Sequence, residues 1–204
     1  MLGTTLLFEV AGHLAALLIF AAFVAGFVDS IAGGGGLIAM RALLLAGATP
    51  LQTLATNKLQ GSFGSGIATF SYARAGHVTL RNHRLATGLA LVFGATGLAL
   101  AQFIPSEWLR LAMPFVLIAV ALFFALKPGI SDEDRLARLS PLVFAATIVP
   151  AIAIYDGVFG PGTGSFFMLG YVMFAGYGML KATDHTKLLN FASNIGSLLF
   201  SPGI

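Results

Sequence analysis

The sequence predicts an all-α, polytopic transmembrane protein built from inverted repeats, with helices broken at glycine-rich motifs. Three observations predict it. Hydrophobic residues make up 57% of the 204 positions and charged residues only 9%, with a mean hydropathy of +0.91, whereas a soluble domain carries about a quarter charged residues. Eleven Lys+Arg and eight Asp+Glu cannot cover a folded chain of this length with polar surface, so its outer solvent is lipid. The apolar residues run consecutively in long blocks rather than alternating, which is helix patterning and not that of a β-barrel. An acid followed by a glycine-rich interruption also occurs twice.

Crossing the hydrocarbon core takes about 20 mostly apolar residues in a helix. Stretches at 10–31, 53–73, 84–104, 108–127 and 141–157 meet that requirement. Shorter apolar pieces at 36–48 and 165–179 suit half-helices, and a last piece from about 184 is still apolar at Ile204. The N-terminal stretch lacks a positive n-region and an evident cleavage site, so it is expected to stay as a membrane helix. These pieces divide into a first repeat over 1–127, a cytoplasmic loop over 128–140 and a second repeat over 141–204 that stops about two helices short of the first.

Charge fixes the expected orientation. The loop "YARAGHVTLRNHR" carries Arg74, Arg81 and Arg84, and "KPGISDEDRLARLSP" carries Lys127, Arg135 and Arg138 beside Asp132, Glu133 and Asp134. Two helices separate these loops, which puts both on one face, and the positive-inside rule makes that face cytoplasmic. The expected location is therefore the bacterial inner membrane, crossed several times, with the lipid bilayer as partner and both loops as solvated connectors. A net charge of +3 scattered among apolar runs is topology rather than a nucleic-acid footprint, so no nucleic-acid partner is expected. With no cysteine there is no disulfide and no thiolate chemistry. His13, His77, His83 and His185 have no metal-ligand spacing, and no Ser/His/Asp order sits on a soluble scaffold, so neither a metal, a cofactor nor an enzymatic activity is expected.

The internal repeat carries the functional expectation. "DSIAGGGGL" from Asp29 is echoed by "DGVFGPGTGSF" from Asp156, 127 residues later, and "TNKLQGSFGS" from Thr56 by "TKLLNFASN" from Thr186, with Lys187 lying 129 residues after Lys58. Inverted repeats of broken helices are a recurring plan of secondary transporters, with substrate bound near the midplane where the breaks meet. Backbone leaves helical geometry at membrane depth only where protein buries it or it lines a cavity. Its freed N–H groups, with the positive end of a half-helix, favour an anion. Gly33, Gly34, Gly35 and Gly36 in one copy and Gly160 and Gly162 in the other are the expected breaks. Lys58 and Lys187 are candidates to hold a small anionic substrate between them, with snorkelling to the interface as the alternative. Asn57, Gln60, Thr186 and Asn190 are candidate hydrogen-bond donors, as are Ser62, Ser65, Ser193 and Asn194, which also suit helix joining. Asp29 and Asp156 precede the breaks, placed either to cap exposed N–H groups or to carry a coupling proton. Gly34 to Ala39 formally matches the G-x-G-x-x-A dinucleotide fingerprint, but the membrane context and the lack of a following Lys-Ser/Thr oppose a nucleotide site.

With "DSIAGGGGLI", "ATNKLQGSFGS" and "YARAGHV" in that order, the chain resembles the sulfite exporter TauE/SafE family, and within it the YfcA-like branch. The likeness covers essentially the whole sequence. It implies an inner-membrane transporter exporting sulfite, sulfoacetate or a related sulfur-containing anion, with Asp29, Gly33 to Gly36, Thr56, Asn57, Lys58 and Gln60 as motif residues and Asp156, Gly160, Gly162, Thr186 and Lys187 as their counterparts. Arg41 stands where that branch carries proline, and an unpaired arginine at depth costs about 2.5–3.5 kcal/mol on insertion scales. An anion channel and a non-transporting membrane assembly subunit are the alternatives of other classes, and a homodimer is compatible with each.

Overall fold

The computed structural model describes residues 12–32, 35–77, 83–126 and 132–199. Among these the chain is helical and contains no strand. The chain begins with α1 (Gly12–Ala32), α2 (Gly35–Leu45) and α3 (Pro50–Arg74). The pair α4 (Arg84–Phe103) and α5 (Ser106–Leu126) follows, and then α6 (Pro141–Val158), α7 (Thr163–Gly170) with a π-helical turn over Tyr171–Ala175, and α8 (Met179–Leu199). By length and composition α4 and α6 can each cross a membrane.

Several boundaries differ from the sequence expectation because local caps extend the helices into polar sequence. The third segment begins at Pro50 rather than 53, since the Thr49 side chain accepts the Gln52 N–H while the Gln52 side chain reaches back to the Thr49 N–H. The last helix begins at Met179 rather than about 184. Asp134 Oδ1 accepts the Gly178 N–H at 2.6 Å and Asp132 Oδ1 accepts the Leu180 N–H at 2.8 Å, so carboxylates from another loop cap it. The apolar piece expected at 165–179 is an eight-residue helix and a π turn, closed by Gly176 in the left-handed region.

Those caps also revise the second charged loop, which is more than a solvated connector. Its residues 132–139 lie along the corner before α8, with the Arg135 N–H on the Gly176 carbonyl and Arg138 and Leu139 N–H groups on that of Phe174. The first loop reaches the same corner, where His77 Nδ1 lies 3.0 Å from Asp184 Oδ2. Both charged loops therefore meet at the start of α8, on one face, while Arg81, Lys127 and residues 128–131 lie outside the described residues. Arg41 is exposed on α2 rather than buried at depth.

Each short helix folds back along the long one before it: Gly35 sits against Ala25, and Gly170 against Ile148 and Ile152. The equivalent helices α3 and α8 pack together with Gly61 on Asn194 and Gly66 on Phe191. Rising numbers on one helix meet falling numbers on the other, so α3 and α8 run antiparallel, as inverted copies must. Behind them α4 is clamped to α6 and α8 through glycines. A Cβ built on Gly97 would lie 2.9 Å from Gly157 Cα, and one on Gly94 would lie 2.6 Å from Ser193 Oγ. Close backbone approach of this kind is how helices associate where lipid removes the hydrophobic difference between inside and outside. The outer surface carries exposed Phe23, Phe63, Phe70 and Phe115, which water would penalise and lipid accommodates.

Candidate functional site

The two glycine-rich breaks meet at Asn57. A Cβ on Gly36 would lie 3.0 Å from Asn57 Oδ1 and 3.5 Å from Pro161 Cα, and one on Gly160 would lie 3.1 Å from Asn57 Nδ2. The amide of the first repeat's third helix is thus wedged between its own break and that of the other repeat. Gly160 and Gly162 have φ of +88° and +79°, a conformation that a side chain would strain, so the second break depends on glycine at these positions. Tyr155 fixes the loop between them by donating its hydroxyl to the Pro161 carbonyl at 2.7 Å.

A small cavity of about 30 Å³ lies at this meeting point, so a polyatomic anion enters it only as the repeats part. Of the residues singled out in the sequence, Gly35, Gly36, Asn57, Gln60, Gly160, Gly162 and Asn190 line it, together with both carboxylates, Asp29 and Asp156. Gly33 and Gly34 lie outside the described residues. The N-termini of α2 and α7 both begin at the cavity wall, at Gly35 and Thr163. The positive ends of both helix dipoles are directed there.

Lys58 and Lys187 are placed differently from the expectation that both would clasp one anion. Each is buried, neither snorkels to an interface, and neither is among the cavity-lining residues. Instead they cross between the repeats. Lys58 Nζ pairs with Asp156 Oδ1 at 2.5 Å, both side chains being almost fully buried, and Lys187 Nζ donates to the backbone carbonyl of Asp29. A buried ammonium is costly without a compensating acceptor, and each lysine finds one on the aspartate beside the opposite break. Thr186 is buried outside the cavity lining, and Thr56 is exposed.

The carboxylates have unequal surroundings. Asp29 Oδ1 accepts the N–H of Gly35, the first residue of α2, at 3.3 Å. Asp156 receives Lys58 and the Ser193 hydroxyl on Oδ2 at 2.5 Å, and its Oδ1 shares the Thr163 hydroxyl, 2.6 Å away, with the Gly160 carbonyl at 2.7 Å. Of the remaining candidates, Gln60 Nε2 donates to the Ala22 carbonyl of α1, while Ser62 and Ser65 donate to carbonyls of their own helix. Asn194 lines the cavity and donates weakly to Asn190 Oδ1 at 3.5 Å. Gly61, Gly64, Thr163 and Gly164 also line it and were not singled out in the sequence. A residue-by-residue alignment of the two copies would have found Thr163, which stands seven positions after its aspartate, as Gly36 does in the first copy. Among the described residues no three His, Cys, Asp or Glu side chains group to hold a metal.

The profile of the sulfite exporter TauE/SafE family matches residues 18–202. A probable membrane transporter protein, ORF9, of Sinorhizobium sp is 59% identical over 190 residues, covering 93% of this chain and 72% of that protein. The probable membrane transporter protein YfcA of Escherichia coli strain K12 is 44% identical over 193 residues, 95% of this chain and 72% of its own length. A probable membrane transporter protein of Haemophilus influenzae is 41% identical over 189 residues, 93% of this chain and 74% of its own. No solved structure matches the chain.

Proposed function

The chain belongs to the sulfite exporter TauE/SafE family, and from that premise and the cavity we propose a secondary transporter that exports a small sulfur-containing oxyanion across the bacterial inner membrane. The observation that carries this reading is the convergence of two helix N-termini and the amides of Asn57 and Asn190 on one cavity between the repeats. The two buried lysines and the carboxylates of Asp29 and Asp156 balance in formal charge. Attraction for an anion therefore comes from oriented N–H dipoles rather than a free ammonium. A small oxyanion such as sulfite, or a short sulfonate such as sulfoacetate, offers acceptors to those donors. The protein contributes binding and alternating exposure, with no bond made or broken. Both charged loops lie on the cytoplasmic side in this arrangement.

Thermal unfolding of the detergent-purified protein with sulfite, sulfoacetate, thiosulfate or chloride tests the site. Saturable stabilisation by one sulfur anion, absent with chloride and lost in Asn57→Ala and Asn190→Ala, is expected. At a ligand concentration 100 times Kd the stabilisation amounts to about 2.7 kcal/mol. A folded sample that no anion stabilises would remove the site, and flux in vesicles that never saturates would favour a channel.

A further inference from the structure

The two copies offer their aspartates different donors, and the difference is written in the sequence. Across the breaks, Asp29, Gly35 and Gly36 stand 127 positions before Asp156, Gly162 and Thr163. In the third helix of each copy, Lys58 and Gly64 stand 129 positions before Lys187 and Ser193. Both hydroxyls that hold Asp156, those of Thr163 and Ser193, thus correspond to glycines in the first copy, Gly36 and Gly64. A Cβ built on Gly64 would lie 3.6 Å from Asp29 Oδ2, so the space a hydroxyl would fill adjoins that oxygen. Lys187 bonds the backbone carbonyl of Asp29, whereas Lys58 pairs with the carboxylate of Asp156.

We propose that Asp29 is the proton-carrying carboxylate of the transport cycle, while Asp156 is held as a fixed partner of Lys58. This inference rests on the transporter reading. Every donor to a carboxylate favours its charged form. Asp156 has an ammonium and two hydroxyls, whereas the position beside Asp29 that corresponds to Ser193 is Gly64, and the counterpart of Thr163 is Gly36, which faces Asn57. The charged groups around Asp29 are Lys187 on α8 and Asp156 on α6, with Lys58 of α3 already bound to Asp156. The single charged residue of α2, Arg41, is exposed, and α7 has none. In the cycle a proton from water on one side adds to the Asp29 carboxylate, and it returns to water on the other side when the site has turned. An anion in the same cavity repels ionised Asp29 and tolerates the neutral acid, so anion and proton bind together, each raising the affinity for the other. A doubly charged anion leaving with one proton still carries net negative charge outward, the direction an interior-negative potential favours.

The test uses the whole chain in liposomes with radiolabelled sulfoacetate, which stays doubly ionised between about pH 6 and about pH 8. A trapped pH dye reports protons while a potassium ionophore clamps the potential. Wild-type protein is expected to move protons with sulfoacetate. In Asp29→Asn any remaining exchange carries no proton and runs equally at both pH values. Gly64→Ser keeps Asp29 and adds the missing hydroxyl, so the pH midpoint of its flux is expected to move about one unit towards acid. Proton movement that persists in Asp29→Asn, or an unshifted midpoint in Gly64→Ser, overturns the inference while leaving the transporter reading intact. Absence of sulfoacetate, sulfite and thiosulfate exchange in the wild type removes the transporter reading and the inference with it.

Discussion

Lys58 and Asp156 form the most exacting contact between single residues, since neither has access to solvent that could take over its charge. Removing one member of such a pair leaves an uncompensated buried charge and costs about 3–5 kcal/mol, whereas neutral replacement of both is far milder. Lys58→Met is therefore expected to lower the unfolding temperature sharply, and Lys58→Met with Asp156→Asn to recover most of the loss, as thermal melts in detergent would reveal. At the aqueous edge, His83 lies 4.4 Å from the His185 ring, and partial burial, with that neighbour, lowers its pKa from 6.5 to about 4. Between those values the unfolded chain binds more protons than the folded one. The stability His83 contributes is thus complete above pH 6.5 and is lost as pH falls towards about 4. The melting temperature of His83→Gln should fall less than that of the wild type over this window. Lys58, Lys187, Asp29 and Asp156 were legible in the sequence as rare ionisable groups in apolar surroundings, whereas their partners were not. A repeat identifies which residues are equivalent, and Lys58 and Lys187 are, but equivalence does not say that each lysine reaches across to the other copy.

Glycine acts on the helices in two separable ways. In α4, α6 and α8 it permits contact between backbones, because Cβ atoms on Gly94, Gly97, Gly157 or Gly196 would collide with main-chain atoms of the neighbouring helix. Gly157→Ala is expected to cost about 1–3 kcal/mol through overpacking, enough to reduce the yield of monodisperse protein on size exclusion. Gly88→Ala, with nothing within 4 Å of the added carbon, should be neutral or slightly stabilising in the same assay. At Gly160 and Gly162 the requirement is conformational instead, set by positive φ. Composition and run length located every helix within a few residues. They misplaced the ends at Pro50 and Met179, where a capping box and two carboxylates from a distant loop satisfy N–H groups that hydropathy does not weigh. The π turn over Tyr171–Ala175 left no recognisable mark in the apolar pattern.

For the molecule as a whole, the antiparallel packing of α3 on α8 is the seam along which one repeat would rock against the other. The native chain has no cysteine, so a pair introduced there reports only on that seam. Gly61→Cys with Asn194→Cys, positions in direct contact, is expected to cross-link under mild oxidation and to stop anion exchange in vesicles until a reductant is added. The repeat and the meeting of its breaks were legible from two echoed motifs, because inversion brings equivalent interruptions to one depth. The glycine clamp of α4 on α6 and α8 was not, because it joins a helix outside the echoed motifs to two within the second copy. The crosswise contacts of Lys58 and Lys187 also bear on how the protein is made. A nascent first half leaves the translocon with Lys58 inserted and its counter-ion not yet synthesised, and the debt of that charge is settled only when α6 enters the bilayer. Membrane insertion and tertiary assembly are thereby joined in time, because the charge of Lys58 lacks its partner until Asp156 has been synthesised.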